Sequence, residues 1–137
     1  MRRRDVSAQG ISAAQEDYLE TIAFLQRERG AARVSAIGRF LRVKNPTVSA
    51  TLRVLDRRGL VAHRPYGAVE LTPAGVAIAA AVQQRHDLLV GFFRDVLGVP
   101  AAVAEADACT IEHGLSVETF SRMQRFVRRQ LSKARRA

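Results

Sequence analysis

The cysteine of this 137-residue chain lies in the segment CTIEHGLS, three residues before a glutamate and four before a histidine. On a helix, residues i, i+3 and i+4 share one face, so Cys109, Glu112 and His113 project together. A thiolate, a carboxylate and an imidazole are all ligands that transition metals accept in proteins. The alternative interpretation is a buried cysteine that acts as a small hydrophobic residue beside exposed polar neighbours. The spacing leaves both interpretations open.

Three further side chains are suitable metal ligands. Asp17 and Glu20 are three residues apart on a predicted first helix and therefore share a face. His86 lies in the middle of a predicted long helix, in the sequence QRHDLL, where a surface or core histidine without a ligand is also common. The six donors would carry four negative charges with the thiol ionised, which two divalent cations would balance. Spacing does not establish that the six meet in space.

The charge of the chain indicates a polyanionic partner. Its 22 Lys and Arg residues against 13 Asp and Glu residues give a formal net charge of +9. Such an excess favours binding to nucleic acid or to an anionic membrane surface, although it also serves solubility. No segment approaches the roughly 18 apolar residues of a membrane span, so a membrane partner is not expected. A lone cysteine forms no internal disulfide, which predicts a cytoplasmic protein.

The helices and strands that position these donors are predicted from helix-capping, proline and turn residues. A short helix is predicted to turn Ile37, Phe40 and Leu41 inward, and Pro46 suits the first turn of the next helix. Two helices joined by a short turn form a helix-turn-helix. The runs LVAHR and AVELT around PYG then predict a β-hairpin, which makes the motif winged. Thr72 and Pro73 signal the start of the fourth helix.

The predicted fold class is mainly α. A winged helix-turn-helix DNA-binding domain is expected over residues 12–72, followed by an all-helical metal-binding and dimerisation domain over residues 73–131. Residues 1–11 are predicted to form a disordered basic tail and residues 132–137 a second basic tail. The helical part carries more apolar side chains than three short helices can hide, which favours a homodimer. The alternative is that these side chains pack on the winged-helix domain.

The helix-turn-helix predicts which residues contact DNA. Its second helix enters the major groove with its N-terminal residues toward the base edges. The candidates for base contacts are Asn45, Pro46, Thr47, Ser49 and Ala50. The candidates for phosphate or groove contacts are Ser35, Arg42, Lys44, Arg53, Arg57, Arg58 and Arg64. Asn45 has the alternative role of a helix cap.

A resemblance to a known family makes these predictions more specific. The segments QEDYLETIAFL, NPTVS, LTPAG, RHDLLVGFF and DACTIEHGLS occur in the order seen in the diphtheria-toxin-repressor family of metalloregulators. The chain is most similar to the manganese-transport-regulator branch, over about residues 12–130. The resemblance implies a dimeric transcriptional repressor that binds palindromic operator DNA when a divalent metal is bound.

The resemblance also implies a ligand set, with one departure. In the manganese branch the ligand positions match Asp17, Glu20, His86, Glu112 and His113, with a carboxylate where this chain has Cys109. In the iron branch that last position is a cysteine, but a methionine stands in the place of Asp17. Val90 and Glu105 occupy positions where the iron branch has a glutamate and a histidine of an ancillary site. The chain is therefore a hybrid of the two branches.

The hybrid donor set bears on the metal. Carboxylates suit Mn²⁺, whereas a thiolate favours Fe²⁺ or Zn²⁺. The expected cofactor is Mn²⁺ or Fe²⁺, with Zn²⁺ as the third candidate, at one or two ions per subunit. The alternative function is a winged-helix regulator that is not gated by metal. Enzymatic activity and a small organic substrate are not expected, because a metallohydrolase needs an open coordination position and a positioned base.

Overall fold

A computed structural model of the protein describes residues 10–64 and 67–136. The helices are α1 (Ala13–Arg29), α2 (Val34–Leu41), α3 (Asn45–Arg57), α4 (Pro73–Gly91), α5 (Ala101–Ile111) and α6 (Val117–Arg136), and the strands are β1 (Ala32–Arg33), β2 (Val61–His63) and β3 (Ala68–Leu71). The described residues form two compact units, the N-terminal unit (13–81) and the C-terminal unit (10–12 with 82–136). The mainly α fold class is confirmed.

The core of the N-terminal unit is built from one apolar stripe on each of its first three helices. The fully buried side chains are Leu19, Ile22 and Leu25 of α1, Ile37 of α2, and Val48, Leu52 and Leu55 of α3. Each contributes about 1.5–3 kcal/mol through removal of its apolar surface from water. The i, i+4, i+7 spacing of the α3 stripe fixes which face of that helix is left for solvent.

The inward orientation predicted for Phe40 is wrong. Ile37 is fully buried, but Phe40 is 54% exposed and its ring lies 5.3 Å from that of Phe24. An eight-residue helix presents little more than two turns to the core. Phe40 lies on the flank of α2, where it covers part of α1 instead of entering the interior.

The predicted β-hairpin is present as β2 and β3, in an antiparallel sheet with the strand order β1-β3-β2. Val61 pairs with Leu71 and His63 pairs with Val69, while β1 adds the pair Ala32 and Val69. The two valines are buried. The tip residues 65 and 66 lie outside the described part of the chain. Strand β1 was not predicted from the sequence.

The turn between α2 and α3 fixes the direction of α3. A Cβ on Gly38 would lie 2.7 Å from the Val43 carbonyl oxygen, so glycine is required for the close approach. The Val43 N–H donates to the Gly38 carbonyl at 2.9 Å, and Arg42 ends α2 in the left-handed conformation with φ +58°. Lys44, in extended conformation, is the N-cap of α3, and Pro46 lies in its first turn.

The predicted start of α4 is confirmed. Thr72 Oγ1 accepts a hydrogen bond from the Gly75 N–H at 3.2 Å and donates one to the Gly59 carbonyl at 2.6 Å. The hydroxyl therefore caps α4 and ties it to the end of α3. Among the described residues, no helix is long and apolar enough to cross a membrane.

The C-terminal unit contains the rest of α4, a π-helical segment (Phe92–Val96), α5 and α6. The Phe92 ring lies 6.1 Å from that of Phe126, which joins the π-helical segment to α6. Helix α6 begins behind Ser116, whose Oγ accepts the Thr119 N–H at 3.1 Å. It continues to Arg136, through most of the predicted basic tail. Of the predicted N-terminal tail, residues 1–9 lie outside the described part, and Ile11 is buried at 3% exposure.

Candidate metal centre and DNA-reading surface

His86 occupies a core position of α4. Val82, His86 and Leu89 follow the i, i+4, i+7 spacing of a buried stripe, and all three are buried. An imidazole at such a position must have its two nitrogens satisfied, because an unpaired buried polar group costs about 1–3 kcal/mol.

Helix α5 presents its own buried stripe. Ala104 and Ala108 are fully buried, and Glu112 follows at the same four-residue spacing with 2% exposure. Glu112 is the C-cap of α5, where the helix carbonyls carry partial negative charge. Both burial and the helix dipole therefore disfavour an ionised carboxylate at this position. Its partners must supply the compensating positive charge.

Four of the predicted metal ligands do meet here. The Nδ1 of His86 lies 2.7 Å from Oε2 of Glu112, and the Nε2 of His113 lies 3.3 Å from its Oε1. The sulfur of Cys109 lies 3.8 Å from the same Nδ1. One carboxylate thus lies between two imidazoles, with a thiol beside it. We call these four side chains the α4–α5 cluster.

The acid–base chemistry of His86 reflects this environment. Burial lowers the pKa of His86, but the hydrogen bond and charge of Glu112, followed by those of Glu105, outweigh it. The net effect raises the pKa of His86 above its ordinary value of 6.5. The carboxylates of Glu112 and Glu105 thus favour the positively charged form of the His86 imidazole.

Glu105 is a member of this environment that was not predicted as a site residue. Its Oε2 lies 2.5 Å from Nε2 of His86, although 59% of its side chain is exposed. The sequence held one signal for it. Glu105 is four residues before Cys109 and seven before Glu112, so all three share a face of α5.

The remaining two predicted ligands belong to the N-terminal unit. Asp17 and Glu20 lie in the second turn of α1, and both are half-buried. At 3.6 residues per turn, they lie on the side of α1 opposite the core stripe of Leu19, Ile22 and Leu25. The predicted sharing of one helical face by the two carboxylates is consistent with this placement.

The predicted DNA-contacting residues form an exposed surface around α3. The exposed members are Ser35, Arg42, Lys44, Asn45, Pro46, Thr47, Ala50, Arg53, Arg57 and Arg58, whereas Ser49 is half-buried. Lys44 and not Asn45 is the N-cap of α3, so the alternative role of Asn45 as the cap is wrong. Asn45 nevertheless contributes to the turn, since its Oδ1 would lie 3.0 Å from a Cβ on Gly38.

Arg64, the residue predicted to contact DNA from the wing, forms an ion pair within the hairpin. Arg64 is exposed, and its Nε donates to Oε2 of Glu70 across the hairpin at 2.7 Å. An exposed ion pair of this kind contributes about 0–1 kcal/mol to stability. Arg64 can therefore exchange Glu70 for a phosphate at little energetic cost.

An exposed second helix in a winged helix-turn-helix, together with the buried pair Glu112 and His86 beside the half-buried His113 and the exposed Cys109, defines a transcription regulator with a sensing site. The family comparisons agree with this class. Residues 11–69 match the model "Iron dependent repressor, N-terminal DNA binding domain", and residues 72–131 match "Iron dependent repressor, metal binding and dimerisation domain". The chain belongs to this iron-dependent repressor family, whose members include metal-dependent transcriptional repressors.

Individual relatives come from both branches of the family. The chain is 36% identical over 118 residues to the transcriptional regulator MntR of Escherichia coli O157:H7, covering 86% of this chain and 76% of that protein. It is 35% identical over 108 residues to the diphtheria toxin repressor of Corynebacterium efficiens, covering 79% of this chain and 47% of that protein. A solved manganese-dependent transcriptional repressor in complex with manganese superposes with a TM-score of 0.73 at 31% identity, over 80% of this chain and 50% of that chain. The chain thus spans about half the length of the last two proteins.

Proposed function

We propose that this protein represses transcription by binding operator DNA as a homodimer when a divalent metal ion is bound, with Mn²⁺ or Fe²⁺ as the signal. The observation that carries the proposal is the buried Glu112 carboxylate held between His86 and His113, with Cys109 beside it. This donor set fits a transition-metal ion, because it combines an anion with two imidazoles and a thiol. Its carboxylate also favours positive charge nearby, since it raises the pKa of His86.

The complete ligand set in this proposal is Asp17, Glu20, His86, Cys109, Glu112 and His113. Asp17 and Glu20 join the α4–α5 cluster by analogy with the manganese branch, and their half-buried carboxylates on one turn of α1 support their inclusion. A bound divalent cation would supply positive charge to the carboxylates of α1 and α5 together. Three carboxylates favour Mn²⁺, the thiolate favours Fe²⁺ or Zn²⁺, and the number of ions per subunit is one or two.

In the proposed mechanism the shared ligands link the helix-turn-helix domain (residues 12–72) to the dimerisation domain (residues 73–131). Two copies of α3 are then held about one DNA turn apart, roughly 34 Å. Metal and DNA favour the same arrangement, so each must tighten binding of the other by the same factor. The exposed apolar residues of the C-terminal unit support the homodimer, among them Leu97 at 59%, Val117 at 60% and Leu131 at 56% exposure.

The test uses anaerobically purified protein and DNA selected from a random pool in the presence of Mn²⁺. Fluorescence anisotropy of the selected duplex is measured with excess chelator and with Mn²⁺, Fe²⁺ or Zn²⁺ at buffered concentrations. We expect tight binding with Mn²⁺ or Fe²⁺ and weak, salt-sensitive binding with chelator. Equal affinity with and without chelator would instead establish the alternative, a regulator not gated by metal. The proposal includes action in the cytoplasm, in agreement with a single cysteine that forms no internal disulfide.

A further inference from the structure

The two ring nitrogens of His86 face different partners. Nδ1 lies 2.7 Å from Oε2 of Glu112 and 3.8 Å from the sulfur of Cys109, both members of the α4–α5 cluster. Nε2 lies at the other edge of the ring, 2.5 Å from Oε2 of Glu105. The edge that carries Nδ1 is therefore the one directed at the other donor atoms.

A neutral imidazole binds a metal through one nitrogen and keeps a proton on the other. In proteins that second N–H is usually donated to a carboxylate or a carbonyl, which fixes the tautomer and the ring orientation. The position of Glu105 meets this requirement, since its carboxylate oxygen lies within hydrogen-bonding distance of Nε2.

We propose that Glu105 is a positioning residue of the metal centre: it accepts the Nε2–H hydrogen bond of His86 and so presents Nδ1 to the metal ion. This inference rests on the proposed function, because it concerns the same site. It assigns a role to a residue outside the six predicted ligands. It also gives Glu105 and Glu112 different roles, because Glu112 approaches the ring at Nδ1, the nitrogen proposed to bind the metal.

The exposure of Glu105 sets the size of the expected effect. Its side chain is 59% exposed, so water competes for the Nε2–H and partly replaces the carboxylate when it is removed. Loss of an outer-sphere partner costs about 10–100-fold in metal affinity. We expect Glu105→Ala to weaken metal binding by about tenfold, at the lower end of this range. For the same reason, substitution of Glu105 opens no buried cavity and should leave the fold intact.

The first measurement compares metal affinity among variants. Dissociation constants for Mn²⁺ and Cd²⁺ are measured by competition with a chromophoric chelator for the wild type, Glu105→Ala, Glu105→Gln and Asp107→Asn. Asp107 is an exposed carboxylate on the same helix and serves as the matched control. We expect weaker binding by Glu105→Ala, partial recovery in Glu105→Gln because its amide oxygen still accepts a hydrogen bond, and wild-type affinity in Asp107→Asn. Equal affinities of Glu105→Ala and the wild type would overturn the inference.

The second measurement identifies the bound nitrogen directly. Protein labelled with ¹⁵N-histidine is loaded with ¹¹³Cd²⁺, and the spectrum of His86→Gln assigns the His86 resonances. We expect coupling of ¹¹³Cd to Nδ1 of His86 and a proton on Nε2. Coupling of ¹¹³Cd to Nε2 would overturn the inference, because the metal would then bind the nitrogen assigned to Glu105. A second cadmium resonance that disappears in Glu105→Ala would also overturn it, because Glu105 would then itself be a metal ligand. A wild type that binds none of Mn²⁺, Fe²⁺, Zn²⁺ and Cd²⁺ would refute the proposed function itself, which keeps the two failures distinct.

Discussion

Glu112 at the end of α5 and His86 in the middle of α4 share a hydrogen bond of 2.7 Å between Oε2 and Nδ1, and both side chains are buried. Loss of either group would remove a buried hydrogen-bond partner from the other, which is costly in the interior of a protein. The pair is therefore both a structural contact between two helices and the centre of the proposed metal site. Its two roles can be separated by experiment.

Replacement of Glu112 by Gln should abolish metal-dependent DNA binding. The amide keeps the shape and one acceptor oxygen, but it removes the carboxylate charge that lies between the two histidines. We expect a loss of metal affinity of about 100-fold or more, since even outer-sphere changes cost about 10–100-fold. The weak binding seen with chelator should persist, because the surface of α3 is unchanged. Anisotropy with and without Mn²⁺ measures both quantities.

The control for this experiment is Asp107→Asn, which removes a carboxylate from an exposed position of the same helix. It should retain both the metal affinity and the response to chelator. A Glu112→Gln protein that still required Mn²⁺ for tight DNA binding would show that the metal acts elsewhere.

The metal-free protein should lose stability as the pH rises through the raised pKa of His86. A histidine whose folded pKa exceeds its unfolded value contributes stability that is fully present below about pH 6.5 and is lost above the folded pKa. Burial opposes the charge on His86, but Glu112 and Glu105 outweigh it, so this sign applies. We expect the difference in Tm between the wild type and His86→Gln to shrink from about pH 6 to about pH 9 in the presence of chelator.

The same thermal scans on His63→Gln show what removal of an exposed histidine from β2 does to stability. A difference between the wild type and His86→Gln that grows with pH would show that His86 is held neutral in the fold, contrary to the expected sign.

Phosphate binding by α3 should appear in the salt dependence of DNA binding. Arg53 is exposed on α3 beside the buried residues Leu52 and Leu55 that orient the helix. Each phosphate that the protein neutralises adds about 0.9 to the slope of log affinity against log salt. A homodimer carries two copies of Arg53, so Arg53→Gln should lower the slope by about 1.8 while leaving the preferred sequence unchanged. Arg27→Gln, an exposed change on α1, is the matched control.

Much of the N-terminal unit follows from local chemistry that is legible in the sequence. Pro46 marks the first turn of α3, Gly59 has φ +72° after the end of that helix, and Thr72 caps α4 as expected. Each of these residues acts on its immediate neighbours in the chain, which is why spacing sufficed to place the helices and the hairpin.

The features missed from the sequence depend on distant partners. Strand β1 has two residues and exists because Ala32 pairs with Val69, far away in the chain. The π-helical segment that follows α4 carries no composition signal of its own. Glu105 was not predicted as a site residue, because its role depends on the position of His86 on another helix. The residue types of the candidate metal ligands could be predicted from the sequence. Which of them contact one another depends on the three-dimensional fold.

Replacement of Gly38 by Ala should destabilise the N-terminal unit. The added Cβ would lie 2.7 Å from the Val43 carbonyl oxygen, so the turn before α3 must shift. Overpacking of this kind costs about 1–3 kcal/mol, measured here by urea unfolding. Gly91→Ala is the control, since its Cβ would meet Asp95 at an ordinary 3.9 Å and alanine favours a helix. Equal unfolding midpoints for the two variants would contradict the steric argument.

A charge placed on the exposed apolar surface of the C-terminal unit should weaken the homodimer. Leu97 is 59% exposed, in a unit that also exposes Val117 and Leu131. An aspartate at position 97 would bury an unpaired carboxylate if two copies cover this surface, so Leu97→Asp should raise the dimer dissociation constant about tenfold or more. Phe40→Asp is the control, because Phe40 is 54% exposed but lies in the helix-turn-helix domain. Sedimentation velocity over a range of concentrations measures both variants. A dimer that Leu97→Asp leaves as tight as the control would place the two-fold interface on another surface.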